Sequence, residues 1–142
     1  MSDSMLQAKG NAIYVDTTTD LSAAIGKLVT FTAGVPAVNA SASVPAVGIV
    51  LDGRTRTVFN TTRYDNAIGI LGGLPGPVRA IISAASAPLS FGDTLMQAAD
   101  GTLTKDTGAG NIRVVAGVMT DLNGAQPGDE CEVTLFGPQY RT

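Results

Sequence analysis

The amino-acid sequence predicts an all-β fold, a small β-sandwich or β-barrel-like domain of many short strands, on three observations. Short apolar or alternating runs are separated by Gly, Pro, Asn and Asp turns about every 8–12 residues, as in sandwiches and barrels. The apolar residues are mostly Ala, Val, Ile and Leu, with 5% aromatic residues and no Trp. The main helical signal is one short turn over residues 21–25, which Asp20 can cap and Gly26 can end.

The strongest local signal is a hairpin between Phe91 and Thr104. A Gly-Asp turn opens its first run, and Asp100-Gly101 separates that run from the second. Asp-Gly between two such runs favours a tight turn with both residues at positive φ. The Gly-Asp opening occurs again at Gly128-Asp129, before another alternating run. The segment therefore predicts two short antiparallel strands.

The other runs predict further strands that are joined by turns and polar loops. Asp52-Gly53 is expected to turn one strand back into the next, and Pro138 to end the last strand. Loops are expected at residues 34–43 and 60–66 because small polar residues, Gly and Pro interrupt the apolar pattern there. The remaining predicted strands cover residues 11–16, 27–32, 46–51, 54–59, 67–71, 77–82, 111–120 and 129–136.

A weak internal repeat relates the run Val47–Asp52 to Ala116–Asp121, and Ile68–Leu71 shares its first part. A glycine lies inside each run, which predicts a β-bulge or the close approach of another backbone. Chance similarity among β-strands of one composition explains the pattern equally well.

The chain is predicted to form one domain preceded by an arm. Residues 1–10 are polar and lack a period, so we expect a flexible, extended N-terminal arm, with residues 11–142 as a single β-rich domain. Charged residues make up only 15% of the chain and the mean hydropathy is +0.23, which indicates apolar surface covered by other copies or by a partner. We expect a homo-oligomer; a monomer with an Ala-, Gly- and Thr-rich surface is the alternative.

Composition disfavours several partners and compartments. The net charge of −3 gives no global attraction for nucleic acid. Residues 1–10 lack the basic-then-apolar order of a signal peptide, and prolines and glycines prevent the apolar stretch 67–89 from spanning a membrane as a helix. One cysteine, Cys131, allows no internal disulfide. The sequence therefore predicts synthesis in a cytoplasm and neither nucleic acid nor membrane as a partner.

The sequence offers no catalytic or metal-binding constellation. It contains no histidine, which removes the commonest general base, the Ser-His-Asp triad and the His-containing metal sites. Cys131 alternates with Val133 and Leu135 and is expected to be a buried structural thiol. We therefore predict that the protein is not an enzyme and holds neither a cofactor nor a metal.

The acidic residues have structural interpretations. Glu130 and Glu132 share one strand face about 7 Å apart, a separation that could suit a two-carboxylate hydrolase. A solvated strand face is the simpler interpretation, because exposed acids are the norm and no Trp is present to line a cleft. Other acids lie beside turns, where their side chains are expected to accept hydrogen bonds from local backbone amides: Asp52, Asp93, Asp100, Asp121 and Asp129.

Basic residues are concentrated at Arg54, Arg56 and Arg63. Arg54 and Arg56 project to the same side of their predicted strand, where guanidinium groups can pair with carboxylates of a protein partner. Solvation without a partner is the alternative for such residues. Nucleic acid is disfavoured as the ligand because no aromatic platform is predicted beside the arginines.

The motifs follow one another in a characteristic order: Asp20–Val29, Val47–Leu51, Gly92–Leu95 with Asp100-Gly101, Val115–Val118 and Pro127–Asp129. This succession resembles that of the small capsid decoration, or cement, proteins of tailed bacteriophages, and it covers roughly residues 20–136. Each motif is a generic turn or strand signal, so the order is the informative part.

The resemblance implies a β-rich, trimeric virion protein that binds the outer surface of a phage head. There it would stabilise the lattice of the major capsid protein, its implied partner, after synthesis in the cytoplasm of the bacterial host. Such proteins frequently use an extended N-terminal arm. Lys9 belongs to the predicted arm, so it is a possible contact in addition to the arginines. The candidate capsid contacts are thus Lys9, Arg54, Arg56 and Arg63.

Three other classes stay open at this point. A receptor-binding or fibre-type β-domain usually carries exposed aromatic residues, whereas Tyr14, Tyr64 and Tyr140 are scattered along the chain. A carrier-type β-domain needs a lysine at a hairpin tip, and Lys105 follows the predicted hairpin instead of capping it. A small β-fold enzyme would need a deep pocket lined by acids such as Glu130.

Overall fold

The computed structural model describes residues 12–17, 19–74, 76–108 and 113–141. The chain forms two five-stranded antiparallel sheets, one of which curls into a half-barrel, and a 3-10 helix at Ser22–Ala24. The predicted all-β class is confirmed, whereas the predicted arm lies outside the described residues. The strands are β1 (Ala12–Thr17), β2 (Leu28–Thr32), β3 (Val35–Val38), β4 (Gly48–Val58), β5 (Thr61–Ile70), β6 (Val78–Ile81), β7 (Thr94–Gln97), β8 (Leu103–Lys105), β9 (Arg113–Met119) and β10 (Glu130–Arg141).

The main core lies between the two sheets. Sheet A has the strand order β1-β5-β4-β2-β3, and sheet B has the order β6-β10-β9-β7-β8. Alternation along each strand sends one set of side chains inward, so that in β10 Cys131 and Val133 are buried while Glu130 is exposed. The largest buried members of this core are Leu28, Ile49, Ile82, Leu95, Leu103, Met119 and Val133.

A second, smaller apolar cluster joins the 3-10 helix to sheet A. Leu21 and Ala24 contact Val29, Val50 and Ile68, all of which are buried. Residues 49–51 of β4 are therefore covered on both faces, which explains why this run is continuously apolar instead of alternating.

The predicted helical turn near residues 21–25 is confirmed as this 3-10 helix, but its N-cap residue is Leu21 and not Asp20 as predicted. Asp20 Oδ1 accepts hydrogen bonds from the Ser22 amide at 2.9 Å and from the Ser22 hydroxyl at 2.7 Å. The hydroxyl and the amide of Ser22 both lower the pKa of the Asp20 carboxyl, because they stabilise its ionised form.

The glycines within strands mark close backbone approach, as predicted. A Cβ atom at Gly48 would lie 2.5 Å from Ile68 Cγ2 and 2.8 Å from the Gly69 carbonyl oxygen. At Gly117 it would lie 2.7 Å from the Thr134 carbonyl oxygen. Neither position has room for a side chain.

A buried glutamine connects the two sheets. Gln97 of β7 accepts a hydrogen bond from the Ala46 amide at 2.7 Å through Oε1 and donates to the Val44 carbonyl at 2.8 Å through Nε2. Both backbone partners belong to the loop that enters β4, so the amide group positions the start of that strand against sheet B. Because Gln97 is 2% exposed, losing either bond would leave a buried polar group unpaired.

The segment from residue 48 to 70 differs from the prediction. Asp52-Gly53 does not turn the chain, because β4 continues through it with a register shift after Val50. The turn lies at Phe59-Asn60, and the predicted polar loop at residues 60–66 is instead the first part of β5.

Packing explains why a glycine stands at position 53 without making a turn. A Cβ atom there would lie 3.0 Å from the backbone of Ser22 and 3.2 Å from Asn66 Oδ1. Asp52 Oδ1 accepts a hydrogen bond from the Gly53 amide at 2.9 Å within the strand. The dipeptide therefore lets the 3-10 helix approach β4, a role that a local turn signal does not reveal.

Two further boundary predictions were wrong. The predicted loop at residues 34–43 contains β3, which pairs with β2 through a two-residue turn at Ala33-Gly34 and lies at the sheet edge, where Pro36 is tolerated. Pro138 does not end the last strand, because β10 runs on to Arg141. Pro138 instead lies within an irregularity between Leu135 and Gln139, where the ladder requires no amide from it.

The predicted hairpin from Phe91 to Thr104 is confirmed as β7 and β8, but its turn is not the predicted one. Residues 98–102 connect the strands, so the loop has five residues. Gly101 has a φ of 80°, whereas Asp100 does not adopt positive φ. Asp100 instead accepts hydrogen bonds from the amide and hydroxyl of Thr102.

Candidate functional site

The β4–β5 hairpin extends beyond the rest of sheet A. Strand β2 pairs with β4 only at residues 48–49, and β1 pairs with β5 only at residues 64–69. In the described ladders, residues 54–58 and 61–63 pair only with the facing strand of this hairpin. We call residues 54–64 the arginine hairpin; its side chains are exposed or half-buried throughout.

The two strands of the arginine hairpin present different chemistry on their two faces. The register places Arg56 opposite Arg63, and alternation puts Arg54 and Val58 on the same face as this pair. The other face carries two cross-strand pairs, Thr57 with Thr62 and Thr55 with Tyr64. One face is therefore basic and the other is mainly threonine.

Two aspartates at the base of the hairpin orient the arginines. The Arg56 Nε atom lies 2.8 Å from Asp65 Oδ2, and Arg54 Nε lies 3.7 Å from Asp52 Oδ2. The Arg54 and Arg56 side chains remain 53% and 45% exposed in these pairs. Exposed pairs of this kind contribute at most about 1 kcal/mol to stability, so orientation is the larger consequence.

The turn of the arginine hairpin is unusual. Phe59 has a φ of 49° and Asn60 a φ of 62°, the combination of a type I′ turn, which favours Asn-Gly. Positive φ is uncommon for a bulky residue and costs about 1–2 kcal/mol. Nevertheless Phe59 occupies the first position, with 98% of its surface exposed to solvent. Burial of the ring among the described residues therefore does not offset this cost.

A shallow groove of about 290 Å³ runs along the basic face at the tip. Its lining combines two guanidinium groups with apolar and hydroxyl side chains, namely Arg56, Val58, Phe59, Thr61 and Arg63. Asp65 pairs with Arg56 and offsets part of the repulsion between these two opposed cations. The tip thus combines two opposed arginines, a strained turn and an exposed aromatic ring.

The structure brings together three of the four predicted contact residues. Arg54, Arg56 and Arg63 lie on one face of one hairpin, whereas Lys9 lies outside the described residues. Phe59 was missed, and it corrects the expectation that no aromatic residue accompanies the arginines. The sequence carries no turn signal for it, because Phe59-Asn60 lacks the glycine that a type I′ turn favours.

The aspartates beside turns behave as predicted. Each of the five accepts a hydrogen bond from a backbone amide one to three residues away, as in the bond from the Ser90 amide to Asp93 at 2.8 Å and that from the Gln126 amide to Asp129 at 2.8 Å. Within the described residues no group of three or more acidic or cysteine side chains could hold a metal ion. Turn formation accounts for four of these acids, whereas Asp52 accepts its hydrogen bond within strand β4.

The carboxylates of β10 lie on an exposed strand face. Glu130 Oε1 lies 3.0 Å from Arg79 Nε of the neighbouring strand β6, and Glu132 is exposed beside it. Lys105 ends β8 and lies 3.5 Å from Asp93, away from the tip of its hairpin. Neither place has the form that the two-carboxylate enzyme or the carrier domain requires.

Cys131 is a buried thiol, as predicted. It is 2% exposed, and burial together with the negative charges of Asp121, Asp129 and Glu130 raises its pKa to about 11. Because the thiolate is the reactive form, this environment suppresses nucleophilic chemistry at neutral pH.

Among the described helices none has the length and apolar character to cross a membrane. Comparison of the chain with family models, with curated proteins and with solved structures returns no match. The arginine hairpin is therefore interpreted from its own geometry and charge.

Proposed function

We propose that the protein is a structural virion component, a capsid decoration (cement) protein. In this role it forms a trimer, binds the outer surface of a tailed-phage head and stabilises the lattice of the major capsid protein. The order of its turn and strand motifs, which resembles that of the decoration proteins, motivates the proposal. The all-β sandwich is the fold class that this resemblance implies.

The arginine hairpin is the observation that carries a binding role. It projects from sheet A and presents Arg56, Arg63 and Phe59 around one groove. Arg and aromatic residues are the side chains most enriched where protein interfaces gain their affinity. Backbone strain that does not serve the fold, such as that at Phe59, is typical of sites retained for a function.

Exposed apolar residues elsewhere support assembly with other copies or with the shell. Phe91 and Leu122 are 58% and 84% exposed, and Tyr14 and Tyr140 are 58% and 60% exposed. A weakly charged chain gains by covering such residues, which favours an oligomer on the lattice.

Binding to undecorated heads tests the proposed function. We expect the purified protein to co-sediment with heads assembled from the major capsid protein of the same phage, and the decorated heads to rupture at a higher temperature. Light scattering is expected to give the mass of three chains, either in solution or after release from heads. Absence of co-sedimentation at micromolar concentration would refute the proposal.

A receptor-binding domain is the second candidate, favoured by Phe59 alone. An aromatic ring on a projecting hairpin is also what a fibre-type domain would present to a ligand. Binding to intact host cells, with none to heads, would support this candidate over the decoration role.

A further inference from the structure

We propose that the basic face of the arginine hairpin binds a carboxylate-rich surface of the partner protein, with Phe59 inserted into an apolar recess within it. This inference rests on the proposed function and specifies the chemistry of the capsid surface to which the protein binds. Three features carry it: the charge of the hairpin relative to the rest of the chain, the cross-strand arginine pair, and the exposed ring.

The charge distribution favours one orientation of the protein as it approaches a negatively charged surface. Residues 54–64 contain three arginines and no acid, a formal charge of +3, whereas the whole chain has a net charge of −3. Asp52 and Asp65 at the base of the hairpin pair with Arg54 and Arg56, so the hairpin together with its base carries a net charge of +1. The residues outside 54–64 therefore carry −6, three more negative than the whole chain. A negatively charged surface attracts the hairpin and repels the rest of the protein, so encounters are biased towards one orientation.

The arginine pair matches two carboxylates side by side. Directly opposite residues have Cβ atoms about 5 Å apart, so the guanidinium groups of Arg56 and Arg63 emerge as neighbours above the groove. Each guanidinium can form two parallel hydrogen bonds with one carboxylate.

The exposed ring supplies the apolar part of the contact. Phe59 lies in a two-residue turn that fixes its backbone, so burying its ring costs little backbone conformational entropy. Fully burying a phenylalanine side chain contributes about 1.5–3 kcal/mol. The partner surface is therefore expected to place an apolar recess beside its carboxylates.

Nucleic acid fits the same hairpin less well. Three arginines on a two-stranded ribbon can neutralise about three phosphates, which is fewer than the 6–10 contacts of a strongly salt-dependent binder. The remaining charge of −6 repels a long phosphate backbone. An acidic protein surface has limited extent and avoids this repulsion.

Charge-neutralising variants test the inference. R56Q/R63Q removes two cations from exposed or half-buried positions together with the exposed Arg56–Asp65 pair, which contributes at most about 1 kcal/mol, so the variant is expected to retain the fold. R79Q/R141Q is the matched control, because it removes the same total charge from exposed positions of β6 and β10 in sheet B. Thermal unfolding of each variant verifies that the fold is intact.

The first measurement is the affinity for undecorated heads at 50 and 300 mM NaCl. We expect R56Q/R63Q to bind about 30-fold more weakly than the parent at low salt, with little remaining salt dependence, and R79Q/R141Q to bind within threefold of the parent. Equal affinity of the parent and R56Q/R63Q would overturn the inference and leave the proposed function standing. Equal losses in both variants would also overturn it, because the effect would then follow total charge.

A second measurement does not require heads. The parent is expected to bind immobilised poly-glutamate despite its negative net charge, and R56Q/R63Q is expected to lose this binding. If the parent fails to bind heads, the proposed function fails, and the poly-glutamate result alone decides the inference. Tighter binding of a single-stranded oligonucleotide than of poly-glutamate, or no difference between the parent and R56Q/R63Q, would overturn it.

Discussion

Two hairpins of this protein differ in what their turns do. The β7–β8 loop packs against the other sheet, where the Gly101 carbonyl accepts a hydrogen bond from the Leu28 amide at 2.8 Å. The β4–β5 turn projects into solvent with Phe59 almost fully exposed. The first turn therefore contributes to the stability of the fold, whereas the second presents a surface. We expect mutations in the two turns to separate stability from binding.

The largest expected effect is on stability, from Gly101→Val in the β7–β8 loop. A side chain there would meet Val38 Cγ1 at 2.6 Å and the Leu28 carbonyl oxygen at 3.1 Å, at a φ of 80°. We expect a loss of about 3 kcal/mol in the free energy of unfolding, measured by urea denaturation. Gly92→Val is the matched control, because Gly92 has a φ of 89° with nothing within 4 Å of the added Cβ.

Gly92→Val should lower the free energy of unfolding by only about 1–2 kcal/mol, the cost of a non-glycine residue at positive φ. Equal losses at Gly101 and Gly92 would show that the contact between the β7–β8 loop and sheet A contributes nothing. In that case the contrast between the two hairpins would disappear.

The next effect is on binding, from Phe59→Ala at the tip of the arginine hairpin. Because the ring is almost fully exposed, the free energy of unfolding should change by less than about 0.5 kcal/mol. Affinity for undecorated heads should fall about 30-fold, which corresponds to about 2 kcal/mol for a buried aromatic anchor. Val35→Ala, a change at an exposed apolar residue of the edge strand β3, is the control and should leave this affinity within threefold.

A double substitution in the β4–β5 turn is expected to raise stability and lower binding at the same time. F59N/N60G installs the Asn-Gly pair that a type I′ turn favours, so the free energy of unfolding should rise by about 1 kcal/mol while affinity for heads falls as in Phe59→Ala. Ala33→Asn makes the same pair in the β2–β3 turn, where Ala33 has a φ of 50°. It should stabilise the protein without loss of binding. A stabilised F59N/N60G that binds like the parent would contradict the role of Phe59.

The sequence predicted the elements that local chemistry determines. The structure confirms the alternation around Cys131, the short turn after Asp20 and the hydrogen bonds of the aspartates beside turns. Each of these features depends on residues that are close in the chain. The close approach at Gly48 and Gly117 was predictable for a related reason, since a glycine inside a strand usually marks a place where another backbone comes near.

The β4–β5 hairpin could not be predicted in this way. Asp52-Gly53 has the sequence of a turn, but Gly53 is required by the approach of Ser22, a residue distant in the chain. The true turn at Phe59-Asn60 lacks glycine, so it gave no turn signal. Local rules failed where tertiary packing and a surface role, rather than local stability, determine the residue.

The smallest expected effect is a pH dependence that belongs to the β7–β8 loop. The hydroxyl of Thr102 is the largest cause of a lowered pKa at Asp100, whose ordinary value is 3.8. A carboxyl with a depressed folded-state pKa contributes stability above its unfolded pKa, and this contribution is lost as pH falls through the folded value. Asp100 is exposed, so solvent screening limits the contribution to below about 1 kcal/mol.

Asp100→Asn retains an oxygen that can accept a hydrogen bond from Thr102 but removes the carboxyl group that titrates. Urea denaturation between pH 6 and pH 2.5 should show the parent losing more stability than the variant below pH 3.8, with the difference in stability roughly constant above pH 5. If Asp100→Asn followed the pH profile of the parent, the ionised form of Asp100 would have no special role in holding the β7–β8 loop.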